Sequence, residues 1–137
     1  MFLWHSAATN KQGIPVARIV IALHAAPAAD TPAQHRSLLA YHYAQAALVS
    51  GHQIDMVFFY SDAVLHAAKL DNSGEAHQAV TQWQKFATQH NVPLVICNTV
   101  AEVDHQMTTE NLVAPFQNGG LTEFSMAAAA ADHVIQF

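Results

Sequence analysis

The chain has 137 residues, of which 52% are hydrophobic and 11% are charged, and its formal net charge is −5 with histidine neutral. This length suits one domain of ordinary size, and the hydrophobic fraction supplies a sizeable core. The negative balance leaves no basic stripe for a phosphate backbone, so we expect no direct nucleic-acid binding. No apolar run approaches the ~20 residues of a membrane span, so we expect no membrane insertion and some burial against partner subunits.

The amino end, residues 1–16, mixes polar residues, glycine and proline without a period. We interpret it as a loose extension ahead of a single α/β domain over residues 17–137. Its apolar part is too short for a secretory signal and lacks a basic start, which makes the cytoplasm the expected location. The single cysteine agrees with a reducing compartment.

The first half of the domain alternates extended and helical patterns. Residues 18–23 (RIVIAL) are a β-branched run typical of a central parallel strand, and residues 54–60 (IDMVFFY) predict a second strand. Threonine, proline and glutamine at positions 31, 32 and 34 predict the start of a helix that Gly51 ends. Its inward stripe is expected to contain Leu39, Tyr43, Ala46 and Ala47. A short helix is expected over residues 64–70.

The second half continues the alternation. Ser73 predicts the cap of a long helix with the inward stripe Ala76, Val80, Trp83 and Ala87. A third strand is expected over residues 94–97, and Thr99 and Glu102 match a capping box behind it. Thr108 or Thr109 would cap a short helix, residues 122–131 predict an alanine-rich helix, and residues 133–137 a terminal strand. This order predicts a three-layer α/β/α sandwich with a mostly parallel central sheet of four or five strands.

The sequence motifs of several kinds of functional site are absent from the chain. Residues 24–32 contain no glycine for a dinucleotide turn, and no P-loop sequence occurs to support the alternative of a small-ligand or nucleotide-binding α/β module. The ten histidines show no i, i+4 pair and no second cysteine joins them, so we expect neither cofactor nor metal. Packing or solvent contact accounts for His35 and His42. A C-x-x-C redox motif is absent, and no local sequence supports a cysteine hydrolase.

Cys97 ends the apolar run of residues 92–96 and precedes a helix. In an open parallel sheet this edge carries the chemistry, and amide groups at a helix start favour thiolate. The alternative is that Cys97 only packs in the core as a small hydrophobic residue. A thiol without an internal partner can accept and release sulfur as a persulfide, with the second thiol on another protein.

The residues around Cys97 have simpler interpretations. Asn98 and Thr99 would contribute helix-start amides, although capping alone explains both side chains. The FFY sequence at residues 58–60 is expected in the core or at a subunit interface, with Tyr60 as a further candidate for a sulfur pocket.

Three segments together resemble the DsrE/TusD sulfur-relay family, nearest its TusD branch. They are FFY at residues 58–60 after Gly51-His52, VPLVIC at residues 92–97 after a tryptophan-bearing helix, and ADHVIQF at residues 131–137. Each is weak alone, whereas their order and spacing over residues 17–137 are more specific. The resemblance implies a DsrE-like fold and a cytoplasmic sulfurtransferase subunit in which Cys97 is the catalytic residue that carries sulfur as a persulfide.

The resemblance also implies partners and a pathway. The partners are related small subunits of TusB and TusC type, or of DsrF and DsrH type, in a hetero-oligomer. An upstream persulfide donor and a downstream carrier of TusE or DsrC type complete the relay. The expected function is sulfur transfer for 2-thiolation of the tRNA wobble uridine. The alternatives are a DsrE-type subunit in sulfur oxidation and a non-catalytic assembly subunit in which Cys97 is merely buried.

The chain departs from this family pattern in two places. Basic residues are expected soon after the cysteine in TusD-like proteins, whereas residues 102–105 read Glu-Val-Asp-His. An acidic rim favours a differently charged carrier. The glycine-rich turn expected after the first strand is replaced by alanine and proline, which changes the pocket wall opposite Cys97.

Overall fold

The computed structural model describes residues 9, 13, 15–28, 35–69 and 74–137, apart from the side chain of Glu75. Its strands are β1 (Arg18–Leu23), β2 (Gln53–Phe59), β3 (Leu94–Cys97), β4 (Gln117–Gly119) and β5 (His133–Gln136). Its α-helices are α1 (Arg36–Val49), α2 (Gly74–His90), α3 (Asn98–His105) and α4 (Leu121–Ala130), and a 3₁₀ helix covers Ser61–Ala67.

The five strands form one parallel sheet in the order β4-β3-β2-β1-β5. Strands β1 and β3 are buried along nearly their whole length, and β2 in its second half. This burial explains their almost continuous apolar sequences. The predicted α/β class with a parallel central sheet is confirmed, with five strands.

Helices cover both faces of the sheet. Phe58 and Phe59 point to opposite faces because side chains alternate along β2. Phe59 packs edge-on against Trp83 of α2, with ring centroids 5.7 Å apart, and the indole Nε1 of Trp83 donates to the Ser37 hydroxyl of α1 at 3.0 Å. Phe58 stacks on Phe124 of α4 at 4.7 Å. Helices α1 and α2 therefore form one outer layer and α4 the other.

The inward face of α1 differs from the predicted one. Leu39 is 51% exposed, and of the predicted stripe only Ala47 is buried. The buried residues of α1 are the small ones, Ser37, Ala40, Ala44 and Ala47. Small side chains let the helix approach the sheet closely, whereas the prediction turned the large apolar side chains inward.

Different residues cap the start of α1 and end the helix. The predicted start at residues 31–34 lies outside the described residues, and the helix begins at Arg36 with His35 as its N-cap. His35 Nδ1 accepts a hydrogen bond from the Leu38 amide at 3.3 Å. His42 is exposed beside the Tyr41 ring. After the helix, Gly51 has φ +89°, the left-handed conformation that its predicted terminating role requires.

Helix α2 and the 3₁₀ helix lie close to their predicted positions. In α2, Val80, Trp83 and Ala87 are buried as predicted and Ala76 is half-buried, while the predicted cap at residue 73 lies outside the described residues. Of the short helix expected over residues 64–70, the structure has the 3₁₀ helix Ser61–Ala67, and residue 70 is not among those described.

The short helix predicted after Thr108 or Thr109 is wrong. Residues 106–116 form turns and loop, and the chain then enters β4, which pairs with β3. Strand β4 has the polar sequence QNG and lies at the edge of the sheet, so no apolar run marks it.

Within residues 1–16 the structure describes residues 9, 13, 15 and 16. Thr9 and Pro15 form an isolated antiparallel bridge. The interpretation of this segment as a loose extension stays a prediction.

A buried polar cluster joins α1, α2 and the 3₁₀ helix. His66 Nδ1 lies 2.8 Å from the Ala63 carbonyl oxygen, which can only accept, so Nδ1 carries the proton and Nε2 is the acceptor. The Ser37 hydroxyl donates to His66 Nε2 at 2.7 Å and accepts from Trp83. Burial lowers the pKa of His66 from 6.5 to about 4, so the imidazole is neutral at physiological pH.

Candidate functional site

All five parallel strands end at the same edge of the sheet, with Gln136 at the end of β5. Strand β1 ends at Leu23, β2 at Phe59, β3 at Cys97 and β4 at Gly119. Because the strands are parallel, the residues that follow them are gathered at this edge, where open α/β sheets bind their ligands. The Tyr60 amide donates to the Leu23 carbonyl at 2.9 Å, which ties the first residue after β2 to the end of β1.

Cys97 lies at the junction of strand and helix. It is the last residue of β3, it is the N-cap residue of α3, and its backbone pairs in register with Gly119. The thiol is free, its residue is 2% exposed, and its side chain makes no capping hydrogen bond. The structure therefore places the predicted catalytic residue where its sequence context predicts, but beneath the surface.

The predicted capping box of Thr99 and Glu102 is wrong. Helix α3 already begins at Asn98, so Thr99 lies within the first turn and is exposed. Glu102 instead accepts a hydrogen bond from Thr109 Oγ1 at 2.8 Å. Since Cys97 occupies the N-cap position, Asn98 and Thr99 do not cap α3. Their amides belong to the first turn, whose N–H groups have no acceptor within the helix.

Strand alternation puts the Cys97 side chain on the sheet face that α4 covers. Val95 pairs in register with Phe58, and Phe58 stacks on Phe124 of α4. Cys97 follows Val95 by two residues and so shares this face. A Cβ atom on Gly119 would collide with the Val95 side chain, which shows how closely β4 approaches β3 here. The thiol is thus enclosed between β4, α3 and the α4 layer.

The aromatic residues after β2 divide between core and edge. Phe58 and Phe59 are buried, as expected for core residues, whereas Tyr60 is half-buried. The Tyr60 ring lies 5.3 Å from the His24 ring and 6.1 Å from the Phe58 ring. Sequence reasoning missed His24 and Phe124. The available signals were a polar residue directly after β1 and the single aromatic residue of an alanine-rich helix.

The surface after Cys97 is acidic, as its sequence indicates. Glu102 and Asp104 are exposed on α3. His105 Nε2 lies 3.2 Å from Asp62 Oδ1 of the 3₁₀ helix, so this histidine also faces an acidic neighbour. A partner that approaches α3 therefore meets carboxylates first.

Metal ligands do not converge in the described part of the chain. Across residues 15–28, 35–69 and 74–137, no group of three His, Cys, Asp or Glu side chains could hold a metal ion. Within these same ranges, every helix is too short or too polar to span a bilayer.

An open parallel sheet with a free thiol at its carboxyl edge defines a class of thiol-bearing α/β proteins. The model of the DsrE/DsrF-like family matches residues 18–137, and the chain belongs to this family. A solved structure, described as the ychN protein from E. coli, superimposes with a TM-score of 0.65 over 89% of this chain and 100% of that one. At 24% identity, it supports the fold alone.

Curated relatives specify the branch of the family. The "Sulfurtransferase TusD homolog" of Aliivibrio fischeri is 34% identical over 109 residues, which cover 72% of this chain and 84% of that protein. The "Sulfurtransferase TusD" of Serratia proteamaculans matches with the same identity and coverage. The predictions of the DsrE/TusD family and of sulfurtransferase as the class of enzyme are confirmed.

Proposed function

We propose that the chain is a sulfurtransferase subunit that carries sulfane sulfur as a persulfide on Cys97 and relays it to a partner protein. The observation that carries this proposal is the position of the chain's single thiol at the carboxyl edge of β3, at the N-cap of α3. The names of the curated relatives support it, since each is called a sulfurtransferase.

The chemistry needs one thiolate on each protein. The Cys97 thiolate attacks the outer sulfur of a donor persulfide, a new S–S bond forms, and the donor leaves as a thiolate with the electron pair of the broken bond. In the second step an acceptor thiolate attacks the outer sulfur of the Cys97 persulfide and releases Cys97 as thiolate. No net oxidation occurs, so the relay requires no redox cofactor.

The surroundings of Cys97 suit a protected intermediate. The first-turn N–H groups of α3 have no acceptor within the helix and can donate to a persulfide, and a 2% exposed residue is shielded from stray thiols. The same burial means that each transfer requires α4 or the β4 end to move away from the thiol. Access during docking then depends on the partner that opens the site.

The pathway and the partners belong to the same proposal. The sulfur is destined for 2-thiolation of the tRNA wobble uridine, in a cytoplasmic hetero-oligomer with subunits of TusB and TusC type. A persulfide donor acts upstream and a carrier of TusE type acts downstream. The TusD names of the curated relatives support this branch. The acidic α3 surface, with Glu102 and Asp104 exposed, fits a carrier with a basic docking surface.

The test is sulfur uptake measured by intact mass. The protein is incubated with a cysteine desulfurase loaded with persulfide, and one added sulfur atom is expected that cyanide or reductant removes. Cys97→Ser should take up none. Uptake by Cys97→Ser equal to that of the wild type would show that sulfur is held elsewhere.

A displaced thiol provides the matched control. Ser125 is exposed on α4, so the double variant Cys97→Ser/Ser125→Cys has one accessible thiol without the strand-to-helix site. We expect this variant to be alkylated faster by iodoacetamide yet to accept sulfur from the desulfurase more slowly. Equal or faster sulfur uptake at position 125 would mean that the Cys97 site contributes nothing to transfer.

The burial of Cys97 favours one second candidate, a non-catalytic assembly subunit in which the thiol packs as a small hydrophobe. That function predicts no sulfur uptake by the wild type in the presence of its donor and its companion subunits. It also predicts that Cys97→Ala assembles with those subunits and supports thiolation as well as the wild type does.

A further inference from the structure

A cavity of about 260 Å³ lies at the carboxyl edge of the sheet, on the face that α4 covers. Three strands and one helix form its walls, among them His24 after β1, Phe58 and Tyr60 of the β2 end, Phe124 of α4, and Val134 and Gln136 of β5. Val134 is 44% exposed, so the cavity is open to solvent at the β5 rim. Drug-sized ligands occupy sites of about 300–1,000 Å³, so this cavity suits a smaller compound.

Aromatic rings dominate the walls. The Phe58 ring lies nearly parallel to the rings of Phe124 and Tyr60, with interplanar angles of 27° and 23°. The His24 ring tilts against Tyr60 at 53°. Parallel rings beside an open space provide stacking surfaces for another planar ring.

The polar side chains that line the cavity are those of His24, Tyr60 and Gln136. None of its described lining residues is Asp, Glu, Lys or Arg. The Gln136 amide nitrogen lies 3.5 Å from His24 Nδ1, a long contact in which the amide donates and leaves Nε2 of His24 as the protonated nitrogen. A charged ligand finds no Asp, Glu, Lys or Arg counter-ion among these residues, whereas an uncharged ligand finds three hydrogen-bonding side chains beside an apolar wall.

The topology also marks this place. Helix α1 leads from β1 to β2 on one face, and α4 leads to β5 on the other, so the connections change face at β1, between β2 and β5. Ligands of open α/β sheets bind at such a switch point, beyond the carboxyl ends of the strands. The cavity lies at the end of β1, where His24 follows Leu23.

We propose that this cavity binds a small, uncharged, planar aromatic compound whose polar substituent hydrogen-bonds to His24 while its ring packs against the half-buried rings of Tyr60 and Phe124. The site is separate from the sulfur chemistry, because Cys97 does not line the cavity and the ligand contributes no reacting atom.

The experiment uses the full chain and two probes, 4-fluorophenol and fluorobenzene, observed through the ¹⁹F signal of each ligand. Both should bind saturably, and the phenol should bind more tightly because its hydroxyl reaches His24. His24→Ala should remove that preference, a loss of about threefold for the phenol and none for fluorobenzene. Equal binding of both probes by the wild type would overturn the assignment of His24.

Cavity-filling variants test the location. Val134→Trp fills the space from β5 and should weaken both probes by about tenfold or more. Leu121→Trp does so from α4, where Leu121 lines the cavity and is 56% exposed, so the result does not rest on the folding of one variant. Met126 is 70% exposed and does not line the cavity, so Met126→Ala should bind as the wild type does.

Three results would overturn the proposal. They are absence of saturable binding, wild-type affinity in both folded tryptophan variants, and an equal loss in Met126→Ala. Cys97→Ser should bind both probes normally. A chain that binds the probes but takes up no sulfur would therefore contradict the proposed sulfur relay and leave this site intact.

Discussion

Acid should destabilise this protein through His66 in particular. The imidazole is fully buried, its Nδ1 donates to the Ala63 carbonyl, and its Nε2 accepts from the Ser37 hydroxyl. A proton added to Nε2 would turn that acceptor into a second donor and would place a charge among apolar side chains. The pKa of His66 is lowered by burial to about 4 for this reason.

The size of the effect follows from linkage. As the pH falls below 6.5, the unfolded chain binds the proton before the folded one does, so the free energy of unfolding decreases until about pH 4. The interval from 6.5 to about 4, at roughly 1.4 kcal/mol per pKa unit, amounts to about 3 kcal/mol. About 2 kcal/mol of that is already lost at pH 5. Above pH 6.5 the contribution is fully present.

Urea unfolding followed by tryptophan fluorescence between pH 7.5 and pH 5 measures this effect. His66→Gln should be less stable than the wild type at pH 7.5, because it loses the packing and hydrogen bonds of the imidazole. Since glutamine cannot be protonated, the difference in the free energy of unfolding should shrink by about 2 kcal/mol at pH 5. His42 is exposed, so His42→Gln should keep the wild-type pH dependence. A difference between wild type and His66→Gln that stays constant with pH would refute the reasoning.

Two further predictions concern the enclosure of the thiol. Gly119→Ala should lower the free energy of unfolding by about 1–3 kcal/mol, measured by urea titration, because its Cβ would collide with the Val95 side chain. Phe124→Ala should accelerate iodoacetamide alkylation of Cys97 in the native protein by about tenfold, because α4 loses the ring that stacks on the sheet.

Each of these two predictions has a control variant at a nearby residue. A Cβ on Gly120 would meet Glu123 Oε2 at 3.3 Å, the movable end of a side chain, so Gly120→Ala should change stability much less than Gly119→Ala. Equal losses would indicate that the collision is not the cause. Met126→Ala removes an exposed side chain of α4 and should leave the alkylation rate unchanged. If it accelerates alkylation as much as Phe124→Ala, stacking does not hold the helix.

The sequence allowed the buried strands to be predicted because burial on both faces demands uninterrupted apolar residues, as in β1 and β3. Strand β4 escaped prediction because an edge strand of three polar residues carries no such pattern. The face of α1 was misjudged because close packing selected Ser37 and alanine over Leu39. In both of these cases the structure depends on packing against a neighbouring element, which a local sequence pattern does not contain.

The candidate site likewise has features that the sequence predicts and features that it does not. The place of Cys97 at the end of a strand could be predicted from the apolar residues before it. The N-cap could not, because Thr99 and Glu102 match a capping box by spacing although α3 starts two residues earlier than that box requires. The cavity beside His24 depends on β5 lying next to β1, a long-range pairing that no short pattern encodes.

That pairing also governs when the fold can be completed. Strand β1 needs β5 as its neighbour, and the hydrogen bond from the Arg18 amide to Asp132 Oδ2 closes a separation of 114 residues. During synthesis one edge of the apolar strand β1 therefore stays unpaired until nearly all of the domain has left the ribosome. Contacts of such high sequence separation form slowly, and an unpaired apolar edge invites aggregation. Early shielding of β1 until β5 has been made would therefore favour folding of the domain over aggregation.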